Sequence, residues 1–243
     1  MTRINKFFTE HGICSRRQAD AHIEAGNVSI NGLPAKLGDQ VGDGDTVTLN
    51  GERVVTEKQP PLLIAYNKPV GVECTMDERD PQSIPHFLKL DTYIFTIGRL
   101  DQMSEGLLLM TNQGDWVNRV LRTKFGHEKE YEILLDRNLH PRDLSIWRKG
   151  VDIGDEDRGL TLPCRVDVLD HQWIRVVLKE GRNRQIRRCA EALGYRVKRL
   201  KRVRVANIQL GNCESNAYRV VEGEELALFV RNLGLGDGAT GHI

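Results

Sequence analysis

No apolar run in this sequence approaches the roughly 18 residues that a membrane-spanning helix needs, which argues against an integral membrane protein. The first residues, Met1-Thr2-Arg3-Ile4-Asn5-Lys6, turn polar at once and lack the apolar stretch of a secretory signal, so a soluble, cytoplasmic protein is expected. Cysteine is sparse and scattered. Cys14, Cys74, Cys164, Cys189 and Cys213 are odd in number and never spaced C-x-x-C, a pattern that suggests neither a disulfide framework nor a zinc ribbon. The histidines (His11, His22, His86, His127, His140, His171 and His242) show no ligand spacing, so no metal site is expected. Gly-rich phosphate loops are missing too, and no nucleotide cofactor is expected. With 40% apolar and 28% charged residues over 243 positions, the chain reads as globular and long enough for a small and a medium domain.

Net charge is also nearly absent, at +1, but the average hides a concentration. From Arg175 to Arg204 there are twelve Lys/Arg against only Glu180 and Glu191, while the acidic residues gather after Leu210. A polyanionic partner is one reading, and a solvated charged face is the other.

The opening reads as two short helices, Arg3 to His11 and Ser15 to Ala25, followed by a strand at Asn27 to Asn31 and a turn at Asn31-Gly32. Ser15-x-x-Gln18 has capping-box spacing, and Gly12 and Gly26 sit where helices commonly stop. Arg16 and Arg17 occupy a first helical turn, where the macrodipole disfavours cations, which suggests a partner that uses them. Gly-Asp turns flank a strand at Thr46 to Leu49, and Asn50 to Pro61 reads as a linker. Beyond it, strands are expected at Leu62 to Asn67, Thr92 to Ile97, Leu107 to Thr111, Lys129 to Leu135, Trp173 to Lys179 and Val203 to Leu210. Helices are expected at Asp115 to Thr123, Pro141 to Lys149, Asn183 to Leu193 and Glu222 to Leu233. This uneven alternation predicts an α+β domain with a mixed or antiparallel sheet over 62–233, preceded by a small domain at 1–58 and followed by a disordered tail at 234–243.

Three stretches combine reactive residues with turn glycines. In Gly98-Arg99-Leu100-Asp101-Gln102-Met103-Ser104-Glu105-Gly106-Leu107, a carboxylate follows a predicted strand beside a large cation, placed to act as nucleophile or base; by spacing alone it serves equally as a turn cap. In His127-Glu128-Lys129-Glu130-Tyr131-Glu132, strand alternation puts Lys129 and Tyr131 on one face, where a tyrosine can stack on a base or simply fill a core. In Gly181-Arg182-Asn183-Arg184-Gln185-Ile186-Arg187-Arg188, helical spacing places Arg184, Arg187 and Arg188 together, to contact phosphate or pair with a carboxylate such as Asp101.

These stretches, with Asn67-Lys68-Pro69-Val70-Gly71 ahead of them, resemble in order the four motifs of the RsuA/RluF-type ribosomal pseudouridine synthases. The phrases Asp39-Gln40-Val41 and Gly12-Ile13-Cys14-Ser15-Arg16-Arg17 look closest to the RluF branch, whose members modify large-subunit ribosomal RNA and can also act on a transfer RNA. The first domain likewise resembles the small RNA-binding domain of ribosomal protein S-four. The resemblance implies a catalytic domain of pseudouridine synthase fold, Asp101 as the catalytic aspartate, Tyr131 as the active-site tyrosine, Arg187 as the partner of the aspartate, and a chiefly structural first motif. It implies isomerisation of a flipped-out uridine with no cofactor, with ribosomal RNA as the expected partner and transfer RNA as the alternative. Arg99 is then the candidate for filling the vacated stack or holding a phosphate. Lys129 joins it as a substrate contact, and Lys6, Arg16, Arg17, Arg182, Arg184 and Arg188, with Lys198, Arg199 and Lys201, are candidates for the RNA backbone. A non-catalytic ribosome-assembly factor and a glycosidase are the competing classes; the second normally requires another carboxylate roughly 5 to 9.5 Å from the first, and only Glu105 is near in sequence.

Overall fold

A computed structural model describes residues 1–54, 60–90, 92–122, 125–154 and 159–235. The expected tail from 236 onward, residues 55–59 of the expected linker and Thr123 at the end of one expected helix lie outside the described residues. Two compact units result: Met1–Pro61 with Leu90–Phe95 and Asn112–Gly114 form one, and Leu62–Lys89, Thr96–Thr111 and the described residues from Asp115 onward form the other.

In the first unit the chain runs β1 (Thr2–Arg3), α1 (Ile4–Glu10), α2 (Arg16–Glu24), β2 (Val28–Ile30), β3 (Leu33–Pro34), β4 (Gln40–Val41), β5 (Val47–Leu49) and β6 (Glu52–Arg53). The predicted capping box forms: Gln18 N–H donates to Ser15 Oγ at 3.2 Å, and Ser15 N–H donates to Gln18 Oε1 at 2.9 Å. Such a cap contributes about 1 kcal/mol to a helix only nine residues long. One face of each helix is apolar, and Ile4, Phe8, Ala19 and Ile23 close over Val28, Val41 and Val47 of the small sheets. Arg16 and Arg17 stand exposed on the first turn of α2, while Lys6 pairs with Glu10 at 3.1 Å one turn along α1.

The second unit continues with β7 (Leu63–Lys68), α3 (Ile84–Phe87), β8 (Phe95–Thr96), β9 (Glu105–Thr111), α4 (Gly114–Leu121), β10 (Lys129–Leu135), α5 (Pro141–Lys149), β11 (Arg165–Asp170), β12 (Trp173–Leu178), α6 (Gln185–Ala192), β13 (Val197–Val205), β14 (Ile208–Gln209), β15 (Tyr218–Val220) and α7 (Gly223–Asn232). Its main sheet has the order β11-β12-β10-β13-β9-β7-β15, with β14 added against β13. All these pairings are antiparallel except β13 with β9, so the sheet is mixed, as the uneven alternation predicts. β7 is buried at every residue, which fits a strand covered on both faces. One core gathers Leu63, Leu107 and Leu109 beneath Trp116, Phe229 and Val230; a second gathers Ile133, Ile174, Val176 and Leu200 beneath Trp147, Ile186 and Cys189.

Several expected elements change. The run Val203 to Leu210 is not one strand: Ala206 adopts φ +52°, and β13 folds back on β14 with Val205 opposite Ile208. The turn Ala206-Asn207 offers only one of the usual turn residues, Asn207, and puts the left-handed backbone on Ala206 instead of a glycine. Thr92 to Ile97 yields only the two residues of β8, its apolar side chains packing without a long ladder. β11 and β15 were not expected, and β13 starts at Val197, where dense Lys and Arg mask the strand alternation.

Candidate active site

The loop after β8 carries Asp101, and hydrogen bonds to its backbone hold it in place. Leu100 N–H donates to Cys74 Sγ at 3.2 Å, Ser104 N–H to the Asp101 carbonyl at 2.9 Å, and Gly71 N–H to the Gln102 carbonyl at 2.9 Å. Beneath it Lys68, fully buried at the end of β7, donates to the carbonyls of Pro69 at 2.7 Å and Val72 at 2.8 Å and reaches that of Gln102 at 3.4 Å. Burial pushes the Lys68 pKa below the ordinary lysine range, with Cys74, Asp101 and Glu105 opposing it. The Asn-Lys-Pro motif thus ties the reactive loop to the central sheet.

Opposite stands α6. Its buried Ile186 and Cys189 anchor it to the second core, which turns Arg187 toward the loop. Arg187 Nη2 donates to the Met103 carbonyl at 2.7 Å and to Ser104 Oγ at 3.2 Å, and Nε lies 3.7 Å from Asp101 Oδ2. That Nε is buried and has no hydrogen-bond acceptor among the described residues, so a small approach of the two side chains would convert a long ion pair into a charge-assisted hydrogen bond. Burial lowers the Arg187 pKa and the Asp101 charge raises it again. Arg184 adds a second cation, Nη1 at 3.8 Å from the same carboxylate oxygen. It is not a helical residue as the spacing suggests: at φ +50° it caps α6 in the left-handed region, and this turn aims it at Asp101.

Asp101, Arg184 and Arg187 line a cavity of about 570 Å³ together with Arg99, Lys129, Tyr131 and Arg202; Leu178, Ile186 and Leu200 form apolar walls. A strongly charged cavity with a short apolar wall suits a flat, polar heterocycle. The sequence-predicted Asp101, Tyr131, Arg187, Arg99, Lys129 and Arg184 therefore converge. Two others serve a different purpose. Arg182 also lines the cavity, but its side chain is 6% exposed and committed to Glu180 at 3.1 Å and to the carbonyls of Gly159 and Leu160, so it clamps a loop at the cavity wall. Arg188 turns away from Asp101 and donates to the carbonyls of Ile153 and Asn183. Of the nearby candidates for the RNA backbone, Arg199 pairs with Glu105, whereas Lys198 is exposed.

The basic stretch as a whole is less basic than its composition implies. Glu130 and Glu132, with Glu128 just ahead of the strand, alternate with Lys129 and Tyr131 along β10. Arg204 bonds to Glu128 and Glu130 at 2.9 Å each, and Arg175 to Glu132 at 2.9 Å. Sequence reasoning passed over Arg202, which sits opposite Tyr131 across β10 and β13 and beside Gly106 on β9. The spacing Leu200-x-Arg202 places it on the inner face once β13 is assigned its full length.

Comparison with known proteins agrees with this geometry. The family described as RNA pseudouridylate synthase matches residues 62–192, and the S4 domain matches residues 2–47. The chain belongs to the RNA pseudouridylate synthase family. It is 41% identical over 225 residues to the dual-specificity RNA pseudouridine synthase RluF of Escherichia coli K12, covering 92% of this chain and 77% of that one. It is 31% identical over 236 residues to the ribosomal large subunit pseudouridine synthase B of Bacillus subtilis, covering 93% and 94%. A crystal structure of a pseudouridylate synthase superimposes with a TM-score of 0.69 at 26% identity, covering 96% of this chain and all of that one. The synthase is thus an isomerase acting on RNA, and the glycosidase alternative falls away. No helix among the described residues is long and apolar enough to cross a membrane.

Proposed function

We propose that the synthase converts a uridine of large-subunit ribosomal RNA to pseudouridine in the Asp101 cavity. The observation that carries this reading is the convergence of Asp101, two arginines within 4 Å of it and Tyr131 on one cavity, in a chain of this family. Asp101 is the nucleophile, and the Arg187 and Arg184 cations beside it hold its carboxylate in place. Tyr131 packs on the uracil that has left its stack, and Arg99 at the exposed rim fills the vacancy or holds the neighbouring phosphate. Residues 1–58 bind RNA through Arg16, Arg17 and Lys6, and residues 62–233 carry out the chemistry. The name of the B-type relative, a ribosomal large subunit synthase, favours ribosomal RNA; the dual-specificity name of the RluF relatives keeps transfer RNA as the second reading.

Mapping pseudouridine in ribosomal and transfer RNA from cells lacking the protein, with rescue by wild type or Asp101→Asn, tests the proposal. A large-subunit site that vanishes, returns with wild type and stays absent with the mutant supports it. A site that appears only in transfer RNA overturns the substrate assignment, and rescue by Asp101→Asn overturns the catalytic one. If no site changes, unmodified transcripts incubated with the purified protein decide: no pseudouridine would mean that it only binds RNA.

A further inference from the structure

We propose that Lys129 and Arg202 form a cationic floor beneath Asp101 that receives the carbonyl edge of the flipped uracil and stabilises the negative charge the base carries once its glycosidic bond has broken. This rests on the assignment of the Asp101 cavity as the uridine site.

Both residues line that cavity, and both are deep in it: Lys129 is 8% exposed and Arg202 3%. Arg202 is anchored by Nε, which donates to the Leu107 carbonyl at 2.7 Å. Its Nη2 is out of contact with solvent and has no acceptor among the described residues. Among the described residues no carboxylate offsets Lys129; burial, and then the like charge of Arg202, lower its pKa. Arg175, Arg182, Arg199 and Arg204 of the same strands and loops all have carboxylate partners. Two buried cations without a counter-charge are costly to keep, a cost sustained where the missing charge arrives with a ligand. Arg99 and Arg184 stand exposed at the rim, within reach of backbone phosphate, whereas the base is the part of a flipped nucleotide that penetrates furthest.

The chemistry supplies the charge. Asp101 takes C1′ as the C1′–N1 bond breaks, and the electron pair of that bond stays on the base and spreads onto O2 and O4. After the ring turns, C5 provides the pair that forms the C1′–C5 bond and displaces the Asp101 carboxylate, C5 releases its proton to a base, and N1 takes one up. Atoms and charge balance without a co-reactant. Donors fixed in a site of low dielectric stabilise the detached base more than the bound uridine, and only such differential binding accelerates the step.

The test measures single-turnover rates of glycosidic-bond cleavage, read as consumption of the target nucleotide because 5-fluorouridine has no C5 proton to release, on an RNA substrate bearing either uridine or 5-fluorouridine at the target, with RNA affinity measured in parallel, for wild type, Lys129→Met, Arg202→Gln and Asp101→Asn. Fluorine makes the departing base intrinsically less basic, so it depends less on the floor. Lys129→Met and Arg202→Gln should lower the uridine rate on the order of a hundredfold with affinity within about threefold, and the deficit should shrink about tenfold on 5-fluorouridine. Equal deficits on both bases would mean a merely structural role and overturn the proposal. A rate within about threefold of wild type for Lys129→Met, which removes no internal hydrogen bond and so keeps the test open if Arg202→Gln misfolds, overturns it as well. A matching loss of affinity would assign the cations to phosphate and do the same. An active Asp101→Asn, by contrast, would sink the underlying site assignment.

Discussion

Gly106 offers the sharpest test of how the sheet positions the site. It lies at φ +99° on β9, in the parallel pairing with β13, directly beside Arg202. A methyl group there would overlap the Arg202 carbonyl oxygen and come within 2.9 Å of its backbone nitrogen, neither of which is a flexible side-chain end. Gly71 is a natural control, because its φ is +93° but nothing lies within 4 Å of where its Cβ would be. Gly71→Ala therefore measures left-handed strain alone, about 1 to 2 kcal/mol. Gly106→Ala adds displacement of a neighbouring strand, about a further 1 to 3 kcal/mol. For a domain of this size each kcal/mol lowers Tm by roughly 2 to 4 °C, so Gly106→Ala should melt about 2 to 12 °C below Gly71→Ala. Calorimetry of both variants reads the difference directly. Activity should follow the same order at the temperature where both remain folded, since the shift passes straight into Arg202. If the two variants melt together, the close approach of β9 and β13 does not constrain the site and the reasoning fails.

The other predictions use the same contacts. Lys129→Met should raise stability at pH 7 by about 1 kcal/mol, because it removes an unpaired buried cation while slowing turnover; urea titration reads the gain, and a loss would contradict it. Since the folded state lowers the Lys129 pKa, the unfolded chain binds more protons between the folded value and 10.5; wild-type stability should climb with pH across that window, and Lys129→Met should flatten the climb. Lys68→Met should cost about 3 to 5 kcal/mol and release the Asp101 loop, seen as faster amide exchange at Gly71 and Ser104. Ser15→Ala should cost about 1 kcal/mol in urea denaturation of the first unit. Charge reversal of Arg16 and Arg17 should weaken RNA binding and flatten its salt dependence, by roughly 0.7 to 0.9 in log-log slope per lost phosphate contact, with the single-turnover rate at saturation unchanged.

What could be read beforehand follows a physical division. Local rules act over a few residues, so the capping box at Ser15, the α5 helix from Pro141 to Lys149 and the β10 strand from Lys129 to Leu135 were legible. The catalytic loop was legible as a motif, yet its geometry was not, because Lys68, Cys74 and Gly71 hold it from 26 to 34 residues away. Strands whose alternation is written in charge were missed. In Val197–Val205, lysines and arginines occupy both faces, and only the burial of Leu200, Arg202 and Val205 tells the inner face from the outer.

That same strand explains why counting charge overstated the RNA surface. A cation in sequence carries no record of the carboxylate that meets it across a sheet: Glu128, Glu130 and Glu132 are remote from Arg175 and Arg204 along the chain and adjacent to them in space. On this outer face pairing lowers the field that phosphate would feel. On the inner face, where Lys129, Tyr131 and Arg202 alternate with those glutamates and their partners, no carboxylate meets Lys129 or Arg202 among the described residues. Strand alternation therefore sorts one basic stretch into two environments, a neutralised exterior and an uncompensated interior. The interior holds the smaller number of charges, but in the lower dielectric each acts more strongly on whatever enters. Selection for a base that becomes anionic as it detaches would leave this segregation, whereas selection for backbone binding alone would leave the unpaired cations outside.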